Sequence, residues 1–236
     1  MRSRSPVLAA LRAAFPHSIP VLTGFGFLGL AYGIYMNVHG FSFIYPLMIS
    51  LIVFGGSLQF VMVTLLLSSF APVAAFLMAL LIQARHLFYG LAMLERYRGL
   101  GWKRFFLIFG LCDETFSITC STDAPEGIDK GWFMLWITWL DQFYWITAST
   151  LGGILGSVLP FDTNGLDFVM TAMFVVIFLN QWLKDKQHTP AWIGLGCSVL
   201  CLLIFGADSF IVPTMLCILL LLMLFRKPIE KGADLT

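Results

Sequence analysis

The chain has 236 residues, 59% of them hydrophobic and only 11% charged, with a formal net charge of +1. Soluble domains carry about 25% charged residues, and none of this size could hide so much apolar surface, so lipid must be the solvent for most of it. The near-zero net charge implies no nucleic-acid partner, and little sequence is left for a soluble domain.

The first residues, MRSRSPVLAALRAAFPHSIP, are basic and amphipathic and lead into an apolar run too long for a signal-peptide core. They read as a cytoplasmic tail with an interfacial helix over 1–19. A membrane-crossing helix needs about 20 apolar residues, and the candidates are 20–38, 43–70, 72–94, 104–122, 132–158, 167–183, 191–206 and 209–225. Together they form one transmembrane domain over 20–225, followed by a cytoplasmic tail at 226–236. GLAYG (29–33) and GGILG (152–156) have the small-xxx-small spacing that lets helices approach closely, and both read as packing motifs. Cys112, Cys120, Cys197, Cys201 and Cys217 lie inside apolar segments without CxxC or zinc-ligand spacing, so no metal site or cofactor is expected. Walker A, HExxH, GxSxG and EF-hand patterns are absent, which leaves no motif for ATP hydrolysis or covalent catalysis.

Cytoplasmic loops are enriched in Lys and Arg. The basic clusters are the N-terminal tail (Arg2, Arg4, Arg12), the 95–104 loop (Arg96, Arg98, Lys103, Arg104), 184–190 (Lys184, Lys186) and the C-terminal tail (Arg226, Lys227, Lys231). The 123–131 loop is acidic, with Asp123, Glu126 and Asp129. Eight full crossings would put the 95–104 loop outside, against the rule. The conflict disappears if 43–70 enters and leaves on the same side, and VFGGSLQF (53–60) allows this. Adjacent glycines Gly55 and Gly56 each weaken a helix by roughly 1 kcal/mol relative to alanine. Treating 167–183 in the same way keeps every basic cluster and both termini cytoplasmic and puts the 123–131 loop outside. The expected fold class is an all-α polytopic membrane protein with about six full transmembrane helices plus two broken or re-entrant segments. LQFVM (58–62) and LDFVM (166–170) match at four of five positions in the two segments read as broken. That echo suggests inverted repeats, a recurring plan of secondary transporters.

Ionisable residues inside spans mark pathways or buried partners. Here they are Arg85, Asp113, Glu114 and Asp141, with Gln59, His86, Tyr89 and Asp167 as polar company. Arg85 lies about 15 Å from either end of its span at 1.5 Å per residue, beyond easy snorkelling. In LCDETFS (111–117) the acids fall about ten residues into the next helix, at matching depth across the short basic loop. Asp113 and Glu114 are about 100° apart on a helix, so only one can face Arg85. Two readings stay open: an ion pair that locks two helices, or a site in which arginine holds a carboxylate and an acid titrates. His86 alone reads more readily as a hydrogen-bonded structural histidine. Asp141, among the aromatics of WITWLDQFYWIT (136–147), reads as paired to a buried partner or as facing a cavity, and Asp167 and Tyr89 share that structural or cavity-facing reading.

GFGFLGLAYGI (24–34), SLIVFGGSLQF (50–60), QARHLFYGLAM (83–93), LCDETFS (111–117) and LGSVLP…LDFVMTAMF (155–174) together make the chain resemble the AzlC family. These are the large subunits of bacterial branched-chain amino acid exporters. Two positions depart from the family pattern: Gln83, where asparagine is commoner, and Cys112, where threonine precedes the aspartate. The resemblance implies a carrier in the bacterial cytoplasmic membrane that exports branched-chain or similar small apolar amino acids, methionine included. It also implies a small hydrophobic membrane subunit of the AzlD type as partner. A zwitterionic substrate needs complementary charges, which suggests Arg85, Gly55, Gly56, Gln59 and Asp113 for substrate binding. Glu114, Asp113 and His86 are the candidates for carrying a coupled proton. The rival readings are a passive channel or ion pore, a membrane-embedded structural subunit, and a membrane-embedded enzyme using His86 and an acid.

Overall fold

The computed structural model describes residues 6–158, 188–206 and 210–225, together with 172, 175, 178, 179, 182 and 183. The described residues are helical, with no strand among them. The helices are α1 (Pro6–Val38), α2 (Ile44–Ile52), α3 (Gly56–Leu67), α4 (Pro72–Ile82), α5 (Ala84–Met93), α6 (Lys103–Phe109), α7 (Asp113–Ser121), α8 (Lys130–Val158), α9 (Thr189–Phe205) and α10 (Ile211–Leu224). Phe70, Phe105, Leu203 and Leu224 stand mostly exposed, as do many other large apolar side chains. Such a surface is stable against lipid and not against water. Among the described residues α1, 33 residues long, is the one helix long and apolar enough by itself to cross a membrane. The chain divides into two compact units, Met1–Leu166 and Asp167–Thr236.

The first unit is built on α1 and α8, which lie side by side and parallel. Trp136 Nε1 donates to the Val7 carbonyl at 3.0 Å, and Ser18 Oγ lies 3.0 Å from Tyr144 Oη. Further along, Gly29 and Gly33 face Ala148, Ser149 and Gly153, while Gly156 faces Asn37. GLAYG and GGILG therefore pack in one seam, and a Cβ on Gly33 would collide with the backbone of Ser149 and Gly153. Pro16 and Pro20 lie inside α1 without ending it. Each removes one backbone donor, yet the helix stays continuous across residues 19 and 20, and Ala10, Ala14 and Ser18 are buried. Residues 6–19 are thus the first turns of the long helix. The separate interfacial helix expected there is replaced by packing on α8.

Position along α8 shows how the other elements run. The Lys130 end is called basal and the Val158 end distal. Segment 43–70 is a hairpin that enters from the distal end. Phe43 and Pro46 lie on Gly153, Ser50 Oγ is 2.9 Å from Ser149 Oγ, and Gly56 rests on the Trp145 ring. After the break at 53–55, α3 turns back, bringing Phe60 against Tyr32 and Tyr35 at centroid distances of 5.4 and 6.1 Å. The span 72–94 then descends as two helices joined at Gln83, and Met93 and Tyr97 reach the basal cluster with Ala14, Leu107 and Phe133.

Segment 104–122 corrects the sequence reading. It is a second hairpin, entering from the basal end. Lys103 at its start bonds Asp129 at 2.9 Å, Gly110 at its tip lies on Thr138, and α7 descends until the Thr122 carbonyl accepts from Arg96 Nη2 at 3.2 Å. The 123–131 loop therefore lies beside the 95–104 loop, with Arg96–Asp123 at 2.6 Å and Lys103–Asp129 at 2.9 Å. The acids neutralise the basic loop instead of marking the opposite face. Acidic residues contribute little to membrane orientation, so their presence did not locate the loop.

In the second unit α9 packs on α10, and Cys197 and Cys201 are buried on one face of α9 toward Cys217. All of the cysteines in the described helices are free. The expected broken segment 167–183, its LDFVM echo and Asp167 lie outside the described residues, apart from isolated positions in 172–183.

Candidate functional site

Both hairpin tips stop near the middle of α8, and the α4–α5 junction runs beside them. At the first tip, the glycines allow close cover. A Cβ on Gly55 would strike the Gln83 side chain, and one on Gly56 would press the Trp145 ring at 3.2 Å. Gln59 is fully buried beneath the tip. Its Nε2 donates to the Val53 carbonyl, and its Oε1 accepts from Trp145 Nε1 at 2.6 Å and from Ser50 Oγ at 3.5 Å. Unwound backbone at this depth is tolerated because protein groups satisfy it. The amide of Gln59 bonds protein groups through both its oxygen and its nitrogen, so this residue holds the break in place. No side chain caps the N-terminus of α3 by a hydrogen bond, so its positive dipole end is not offset by one.

At the second tip, Thr115 Oγ1 accepts from the Cys112 N–H at 2.8 Å and bonds the Gly110 carbonyl at 2.9 Å, closing the turn over Leu111. The first turn of α7 carries Asp113 and Glu114. Acids there complement the helix dipole and reverse the sign of that terminus relative to α3.

Arg85 joins the two tips. Its Nη2 donates to Ser57 Oγ at 2.9 Å and pairs with Asp113 Oδ2 at 2.8 Å, with both charged side chains about a third exposed. Asp113, not Glu114, is the partner of Arg85, and Ser57 is a contact the sequence reading missed although GGSLQF contains it. Arg85 Nε and Asp113 Oδ1 are buried without hydrogen-bond partners, as are Gln83 Oε1 and His86 Nδ1 on the same junction. Native buried polar atoms are rarely left so. Three of these atoms lie at or next to the α4–α5 junction, and the fourth belongs to the first turn of α7. The His86 ring meets Tyr89 edge-on at 5.6 Å; Tyr89 stacks on Phe116 at 4.4 Å and its hydroxyl lies within reach of Asp113.

Asp141 is not with this group. It is fully exposed to no solvent and neither of its oxygens has a partner; its electrostatic neighbour is Glu114. The basic partner that a buried aspartate ordinarily takes is therefore not what it has. Among the described residues no group of three or more His, Cys, Asp and Glu side chains could hold a metal ion.

The family described as AzlC protein matches residues 20–159, the stretch that contains both hairpins and α8. The chain is 52% identical over 232 residues to the branched-chain amino acid transport protein AzlC of Bacillus subtilis, covering 98% of this chain and 91% of that one. It is 42% identical over 231 residues to a Haemophilus influenzae protein named uncharacterized membrane protein, covering 98% and 95%. Similarity extends at 25% identity over 209 residues to inner membrane protein YgaZ of Escherichia coli, covering 82% and 84%. No solved structure matches the chain. With the family matched over more than half its length, and a relative this similar aligned nearly end to end, the chain belongs to the AzlC family.

Proposed function

We propose that this protein is a secondary carrier that exports branched-chain and similar small apolar amino acids, methionine among them, across the bacterial cytoplasmic membrane. Transport is proton-coupled, is not enzymatic, and proceeds together with a small hydrophobic membrane subunit of the AzlD type. The observation that carries the reading is the pair of unpartnered atoms, Arg85 Nε and Asp113 Oδ1, at the meeting of two helix breaks. A zwitterion supplies what each lacks. Its carboxylate accepts from Arg85 and lies toward the uncapped α3 end at Gly55 and Gly56; its ammonium donates to Asp113 Oδ1. Gln59 and Trp145 hold the first tip in place, while His86 and Tyr89 flank the pair. The branched-chain transport function named for the Bacillus subtilis relative supports the substrate class.

The topology that goes with this reading exchanges one re-entrant segment for another. With 43–70 and 104–122 as the two hairpins, the expected total of six spans is unchanged. The N-terminal tail, the 95–104 loop, 184–190 and the C-terminal tail then all remain cytoplasmic, as the positive-inside rule asks. A span followed by a hairpin from its far end, α1 with α2–α3, recurs upside down as α4–α5 with α6–α7, in the manner of inverted transporter repeats.

The test is efflux of preloaded leucine from cells or proteoliposomes, with and without the small subunit. Arg85→Ala and Asp113→Asn are each expected to abolish efflux while the protein remains inserted; unchanged efflux in both would reject the site. Exchanging the pair, Arg85→Asp with Asp113→Arg, separates a lock from a binding site. A lock works in either polarity, whereas the site fails because α3 and Glu114 keep their own signs. Broken helices also line channels, so efflux must be saturable and stereoselective; a non-saturating flux would favour a passive pore.

A further inference from the structure

The Arg85 site leaves one buried acid unused. Asp141 is fully buried in α8, and both of its oxygens lack partners. An ionised carboxylate held this way is strongly disfavoured unless something compensates it. The charge that acts on it is a second acid, Glu114. Glu114, Ser117 and Ile118 also form one wall of a cavity of about 320 Å³, and α1 forms the other with His17, Val21 and Gly24. Glu114 therefore stands between a cavity and a buried acid, and it is the residue that turns away from the Arg85–Asp113 pair.

A carboxyl buried without hydrogen-bond partners, with an acid for its charged neighbour, holds a proton more readily than a charge. A metal cation is a poorer fit, because hard cations gather several oxygen ligands at once and only two carboxylates converge here. Among the described residues, the other elements packed on α8 bring no base to Asp141. From α1 come His17, whose ring meets Phe133, and Tyr32, whose ring stacks on Trp145. Tyr45 of α2 sits at the distal end and Lys103 of α6 is paired to Asp129 at the basal end, while the buried Cys112 thiol ahead of α7 lies within electrostatic reach of both acids.

We propose that Asp141 and Glu114 form a buried proton-binding site, separate from the amino-acid site, that carries the coupled proton. Glu114 takes the proton from the cavity and passes it to the Asp141 carboxylate, regaining its own negative charge; in the carrier's opposite-facing state the two steps run backwards and release the proton to the other side. The assignment rests on the proton-coupled reading above and names its carrier as Asp141 in place of Asp113, which Arg85 already holds.

The experiment compares wild type with Asp141→Asn, a neutral isostere of the protonated acid, in proteoliposomes and in detergent. Three quantities are read: leucine counterflow at equal pH on both sides, leucine accumulation driven by a pH gradient, and the infrared band of protonated carboxyls through a pH titration. The variant is expected to keep counterflow, which needs no net proton movement, and to lose both gradient-driven accumulation and one titrating carboxyl band. Gradient-driven accumulation at the wild-type level in the variant would overturn the proposal, as would an unchanged set of carboxyl bands. Loss of counterflow along with accumulation would also overturn it, by making Asp141 part of the substrate site or of the packing. If wild type shows no leucine counterflow, the substrate reading fails, and the infrared titration decides the Asp141 site on its own.

Discussion

Arg85 is held by groups on two different hairpins, Ser57 at the tip of one and Asp113 at the tip of the other. An arginine at this depth needs such partners because its guanidinium cannot reach the interface. Its matching depth with the acids of LCDETFS was legible from helix rise and loop length alone. The choice of Asp113 over Glu114 was not, because it depends on how α7 is rotated about its axis. At the opposite extreme, Asp129 carried no signal in the acidic loop, yet it is the N-cap of α8. Its Oδ1 accepts from the Trp132 N–H at 2.7 Å and from Lys103 Nζ at 2.9 Å. The Lys103 bond first, then the Trp132 N–H, holds its carboxyl below the ordinary value of 3.8. Asp129→Ala is expected to lower stability by about 1 kcal/mol, the usual worth of such a cap. The exposed ion pair adds only a fraction of that after solvent screening. Because the native value is the lower one, the contribution is complete above the ordinary value. It fades as pH falls through the native value. Thermal unfolding in detergent across that acidic range, wild type against variant, measures it; a constant difference at all pH values would contradict the assignment.

At the scale of elements, the α1–α8 seam and the two hairpins organise the first unit. In the seam, Gly33 has no room for a Cβ, whereas Gly26 on the same helix meets nothing within 4 Å. Gly33→Ala must separate two backbones and is expected to destabilise by about 1–3 kcal/mol, as overpacking does. Gly26→Ala is expected to be neutral or to stabilise by up to about 1 kcal/mol through helix propensity. Detergent unfolding curves of the two variants should therefore shift in opposite directions or differ clearly. The seam was visible as small-xxx-small spacing; that GLAYG and GGILG meet each other was not, since 119 residues or more separate them. The first hairpin announced itself through adjacent glycines. The second has only Gly110, and its turn is closed by a hydroxyl three residues on, Thr115 onto Cys112. An apolar run with one glycine looks the same whether it crosses or returns, which is why 104–122 read as a span.

At the scale of the molecule, the two hairpins enter the first unit from opposite ends and bring their tips to within about two turns of each other on α8. This geometry puts the 95–104 and 123–131 loops on the same side. Single cysteines at Arg98 and Glu126, both exposed, in a background without the native cysteines, are expected to resist an impermeant maleimide in intact cells. Both should label after permeabilisation. Cysteines at Ser42 and Ser69, exposed at the distal end, should label from outside without it. Labelling of Glu126→Cys but not Arg98→Cys in intact cells would restore a full crossing for 104–122. Composition by itself determined that the chain lives in lipid, and charge patterning predicts which clusters face the cytoplasm. The residue types out of place in an apolar medium pointed to the Arg85–Asp113 pair, because burying an ion without a partner is too unfavourable to persist. What only the tertiary structure decided is which acid meets Arg85, that Asp141 is buried with neither oxygen partnered, and which segment turns back. Those outcomes depend on helix rotation and on contacts between residues far apart in sequence. Periodicity and hydropathy describe each helix alone and carry no information about either.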